Sequence, residues 1–75
     1  MTATKLFTVV GHSTRGDKHR TRVSAGKAEF RGKNLLKTGN TGVTLYDLPR
    51  PMTKVNAHKW LSDNLPTGIK PAFQG

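Results

Sequence analysis

The chain contains no cysteine. Disulfides and thiolate zinc sites are therefore excluded, and a reducing compartment suits it. Acidic residues are almost as scarce: Asp17, Glu29, Asp47 and Asp63 are the whole set, and each stands alone. No two carboxylates are placed to divide acid and base roles between them. With no cysteine and no base–nucleophile pattern around any serine, nucleophilic catalysis has no foundation either. Apolar residues make up only 33% of the chain. No run of them approaches the roughly 20 residues of a membrane span. The opening Met1-Thr2-Ala3-Thr4-Lys5 lacks the apolar core of a secretory signal. These absences describe a non-enzymatic protein without cofactor, metal, membrane or small-molecule substrate.

What the chain has in excess is positive charge. Thirteen Lys and Arg face the four acids across 75 residues, a formal net charge of +9. Charge of this kind speaks to partners and association rates rather than to fold. Nucleic acid, anionic membrane and acidic protein surfaces are the polyanions in question. The density is highest between Arg15 and Lys37, where Arg15, Lys18, Arg20, Arg22, Lys27, Arg31, Lys33 and Lys37 are opposed only by Asp17 and Glu29. In an extended segment Arg20 and Arg22 share a face, and Lys18 continues the row. Such a row can contact successive phosphates or one acidic patch on a protein. It can also be a solvated face and nothing more.

Length allows one domain, 1–75, with a small core. Thr4 to Val10 reads as a strand with apolar groups on both faces, ended by Gly11. The polar stretch 11–20 reads as a loop or long hairpin turn, and Thr21 to Ser24 as a second strand with Val23 inward. Ala25 to Gly32 is compatible with strand or helical turn. Leu35–Lys37 and Val43–Asp47 read as a hairpin around Thr38-Gly39-Asn40-Thr41-Gly42, with Val43 and Leu45 facing the core. Pro49 and Pro51 then punctuate the chain. Thr53 is a natural N-cap for a helix whose Ala57, Trp60, Leu61 and Leu65 fall on one face, with Met52 as a staple to Ala57. Pro66 and Gly68 end that helix, and 66–75 reads as a mobile tail in which Phe73 is free to dock. The expected architecture is α+β: a small antiparallel sheet with one C-terminal helix packed on it, burying Trp60 and Leu61 against Phe7, Val9 and Leu45.

Three places in the chain approach sharper chemistry. Gly11 to Lys18 spells G-H-S-T-R-G-D-K, which approaches a phosphate-cradling P-loop. Asp17 stands where that loop needs its lysine, however, and would repel a triphosphate. His12, His19 and His58 have no metal-ligand spacing. Single-strand binders interleave aromatics with basic groups so that bases can stack. Only Phe30 lies inside the basic stretch, where core and stacking roles are equally open, and Tyr46 is the other candidate. No RNA-recognition or zinc-finger signature is present.

The length, the Leu6-Phe7-Thr8-Val9-Val10 opening strand, the basic loop from Gly11 to Arg22 and the short C-terminal helix together resemble a class of phage proteins. These are the small transcription regulators with which lytic phages take over host transcription. The resemblance covers most of the chain and includes no short diagnostic motif. It implies bacterial RNA polymerase as partner, near the RNA exit region, in the host bacterial cytoplasm. It also implies inhibition of transcription initiation and antitermination at intrinsic terminators. A basic module there could hold nascent RNA by its phosphates and hinder hairpin formation. Leu6 and Phe7, with the first strand and the loop after it, are then expected as the protein-docking edge. Two readings stand beside this one: a non-enzymatic RNA- or DNA-binding module acting through phosphate contacts, and an inhibitor that fills an acidic groove of some other host enzyme.

Overall fold

The computed structural model of the protein describes residues 5–75. Thr4, where the first strand was expected to begin, lies outside them with residues 1–3. In chain order the described residues form β1 (Phe7–Arg15), β2 (Lys18–Ser24), α1 (Ala28–Lys37), β3 (Thr41–Met52), α2 (Lys54–Asn64), a 3-10 turn (Leu65–Thr67) and β4 (Phe73–Gln74). Their four strands make one antiparallel sheet in the order β2-β1-β3-β4. The class is α+β, but the helices are not confined to the C-terminus, because α1 lies between β2 and β3.

Strand alternation explains why the sheet carries a helix on each face. Successive residues of a strand point to opposite sides, and β1 and β3 are apolar on both. Val9, Val43 and Leu45 face α1 and pack with Ala28, Leu35 and Phe73. Val10, Tyr46, Leu48 and Met52 face α2 and pack with Ala57 and Leu61, flanked by Val23, Trp60 and Ile69. The expected core of Trp60 and Leu61 against Val9 and Leu45 is thus corrected. Val9 and Leu45 serve the other face, under the helix that the sequence reading did not resolve.

Gly11 does not end β1. The strand runs on to Arg15, pairs with Lys18, and turns through Gly16 and Asp17. Gly16 has φ 62° while no non-glycine residue among the described ones has positive φ, which is the residue order of a type II′ hairpin turn. The role of Gly11 is close approach: a Cβ there would strike the Thr44 carbonyl oxygen and lie 2.7 Å from Leu45 Cα on β3.

The hairpin expected across 35–47 is corrected as well. Leu35 to Lys37 complete α1, and of the two expected arms only Val43–Asp47 is strand, as part of β3. Gly39, at φ 89°, follows the C-cap Thr38 as a helix-terminating glycine. Gly39, which suggested a hairpin turn, stops a helix instead, since both tasks need positive φ, while Gly42 lies inside β3. Lys27 offers α1 no side-chain cap; the Asp47 carboxylate on β3 accepts the Ala28 N–H at 3.0 Å in its place. Pro49 and Pro51 lie within β3, where four residues (48–51) bulge opposite the single residue Thr8 and the ladder is already broken.

The C-terminal helix conforms to expectation at its start and at Ala57, Trp60 and Leu61, but it ends at Asn64, so Leu65 opens the 3-10 turn and is exposed. Thr53 Oγ1 accepts the Asn56 N–H, and Met52 is buried with Ala57. The segment read as a tail is docked: Ala72 N–H donates to Leu45 O and Gly75 N–H to Val43 O, each at 2.8 Å, and the Phe73 ring lies against Gly32. Gly32 is the helix position a larger residue could not fill.

Candidate functional site

Register decides which of the basic residues meet. On β1 and β2 the partners are Arg15 with Lys18, Ser13 with Arg20 and Gly11 with Arg22. All of these lie on the face of the sheet that α1 covers further along, because Val9 opposite Ser24 belongs to the same alternation. Past the end of α1 this face is bare, and Arg15, Lys18, Arg20 and Arg22 line a groove on it. Alternate strand residues stand about 6.6 Å apart. A stretched nucleic-acid strand presents its phosphates at a comparable spacing.

Arg22 is the fixed member of the row. Its Nε donates to Ser13 Oγ, and its Nη2 donates to Asn40 Oδ1 at 3.1 Å. Asn40 is itself tied down, its amide donating to Leu35 O and Thr38 Oγ1 at 2.9 Å each. Ser13 and Asn40 are the buried polar residues of the described chain. The arrangement leaves three of the five guanidinium N–H donors for a ligand.

Beyond Arg22 the groove gives way to a cleft of about 200 Å³ between β2 and α1. Leu35 and Leu45 supply its apolar lining, with Arg22, Ser24, Arg31 and Asn34 around it. Arg31 reaches this cleft from α1, with its Nε donating to Ala25 O at 2.6 Å and its guanidinium 5.9 Å from the Phe30 ring centre. Phe30 is 62% exposed and so stands outside the core, whereas Tyr46 is buried and unavailable for stacking.

The other sequence candidates are placed elsewhere. Lys33 turns to the opposite flank of α1 and pairs with Glu29 at 3.3 Å. Lys27 is the N-cap residue of α1, and Lys37 ends that helix. Leu6 is exposed just before β1, and Phe7 is half-buried under the Lys5 ammonium. As a docking edge β1 is corrected: it is hydrogen-bonded on one side to β2 and on the other to β3, so the free edge of the sheet at this end belongs to β2. His12 and His19 occupy the face opposite the basic groove, where their Nδ1 atoms meet Thr21 Oγ1 at 3.4 Å and Thr14 Oγ1 at 3.0 Å. Among the described residues no three His, Asp or Glu side chains are grouped to hold a metal ion, and no helix is long and apolar enough to cross a membrane.

The cleft was not legible in the sequence, because it depends on α1 lying beside β2. The row Lys18, Arg20 and Arg22 was, through its period-two spacing, but the place of Arg15 beside it was not, because 11–20 reads as a loop. Comparison with protein-family models, curated proteins and solved structures found no match to the chain.

Proposed function

We propose that the protein is a non-enzymatic module that binds the phosphate backbone of nucleic acid along the β1–β2 hairpin. The observation that carries this reading is the convergence of Arg15, Lys18, Arg20 and Arg22 on one groove with no acidic side chain among its lining residues. Cations that neutralise phosphates release condensed counterions, and affinity then falls steeply with salt. Position, rather than total charge, should decide binding. Arg20→Ala and Lys33→Ala remove the same charge from the same chain, but only Arg20 lines the groove. Arg20→Ala should weaken binding to a labelled oligonucleotide several-fold at low salt, while Lys33→Ala leaves it near the native value. Equal weakening by the two would mean diffuse attraction and no site.

A second reading is action through bacterial RNA polymerase, with inhibited initiation and suppressed intrinsic termination. It is favoured by the free edge of β2, whose outer backbone groups are available to a strand of a partner protein next to the phosphate groove. Affinity capture from nuclease-treated bacterial lysate at moderate salt tests it, since an interface with an apolar centre survives salt that dissolves phosphate contacts. Recovery of the large polymerase subunits supports the regulator. Their absence, with nucleic acid alone retained from untreated lysate, leaves the phosphate-binding module.

A further inference from the structure

We infer that the cleft between β2 and α1 receives one unstacked base of a strand whose phosphates follow the basic groove, which makes single-stranded nucleic acid the preferred ligand. This rests on the phosphate-binding reading above and adds a base to it.

The cleft's size narrows the occupant. At about 200 Å³ it is smaller than the roughly 300–1,000 Å³ of sites for drug-sized ligands. It has room for one ring system and not for a whole cofactor. Its chemistry narrows the occupant further. Leu35, packed on the buried Leu45, offers an apolar surface to the face of a ring, and Arg22, Arg31 and Asn34 offer hydrogen-bonding groups to its edge. A simple anion would leave the apolar lining unused. An apolar side chain would strip water from two guanidinium groups and an amide without replacing their hydrogen bonds, which is costly. A heterocycle with a flat apolar face and a polar edge satisfies both parts.

Connection to the groove supplies the remaining step. Arg22 lines the groove and the cleft alike, so a ligand in one abuts the other. Past the cleft, Arg31 leads to the exposed ring of Phe30, which offers a stacking surface to a neighbouring base. In a duplex the bases are paired and stacked, and none is free to enter. The groove alone would accept single and double strands without distinction.

The test compares three labelled ligands by fluorescence anisotropy at one salt concentration: an oligothymidine strand, the same strand made abasic, and a duplex of equal phosphate number. The intact strand should bind about tenfold more tightly than the abasic one, as expected for one stacked base, and more tightly than the duplex. Ser24→Leu, which fills the cleft from β2, should remove most of the difference between intact and abasic strands, leaving only what Phe30 contributes, and leave abasic binding unchanged. Equal affinity of the native protein for intact and abasic strands overturns the base cleft while sparing the groove, as does a folded Ser24→Leu protein that keeps the full preference. Absence of salt-sensitive binding to all three ligands overturns the groove and the cleft together. Should Ser24→Leu fail to fold, the comparison of intact and abasic strands on the native protein decides.

Discussion

At the scale of single residues, Arg22 and Arg20 look interchangeable in the sequence and are not. Arg20 is exposed on the edge strand and lines the groove. Arg22 is half-buried and satisfies Ser13 and Asn40, which are 2% and 4% exposed. Among the described residues no buried side-chain nitrogen or oxygen lacks a hydrogen-bond partner, and Arg22 is part of the reason. Removing it would strand two buried oxygens, at a cost of about 1–3 kcal/mol for an unsatisfied group. Arg22→Ala should therefore lower the urea midpoint clearly, whereas Arg20→Ala should stay within about 0.5 kcal/mol of the native stability. Matching midpoints for the two variants would show Arg22 to be an ordinary surface charge. Arg20 is thus the clean probe of binding. A double Arg20/Arg22 substitution would confound loss of contact with loss of fold.

At the scale of elements, α1 is the piece on which the site depends, and it is a poor helix by its own sequence. It begins without a side-chain cap of its own, carries Gly32 in its middle and shows only Ala28 and Gly32 as fully buried residues. A mid-helix glycine costs about 1 kcal/mol relative to alanine; here the Phe73 ring occupies the space a Cβ would need. The Asp47 carboxylate supplies the missing cap from the sheet. Asp47→Ala should cost about 1 kcal/mol, the usual value of an N-cap, and Asp47→Asn should retain most of it because the amide oxygen still accepts. Thermal unfolding of the two variants measures the difference, and equal melting temperatures would refute the capping role. These facts also explain which elements could be read in advance. Strand Val43–Asp47 and helix Lys54–Asn64 have their signals in their own residues: apolar alternation, and Thr53 with Ala57 and Leu61 at helical spacing. The cap of α1 lies 19 residues away and the reason for its glycine lies near the C-terminus, so local pattern cannot show them. The polar end of the β1–β2 hairpin was hidden for a different reason. It extends past both helices and buries little on either face, so it lacks the apolar alternation that marks a strand.

At the scale of the whole molecule the question is how much of the +9 charge takes part in binding. Most of it lies outside the groove, on the two helices and the rest of the chain, where salt screens an exposed cation from any ligand more than about a Debye length away. Four cations share the groove. For single strands the logarithm of the binding constant falls with the logarithm of salt by about 0.7 per neutralised phosphate. A ligand confined to the groove should therefore give a slope near −3, roughly four times that value. Arg20→Ala should reduce the slope to about −2, and Lys33→Ala should not change it. Involvement of the whole basic surface predicts a much steeper slope, eroded equally by either substitution. A slope near zero with retained affinity would instead place the binding energy in contacts to the bases and refute the phosphate groove. Affinity measured across a salt series for the native protein and these two variants separates the three cases. It also ties the net charge of the chain to a particular set of side chains, which composition alone cannot do.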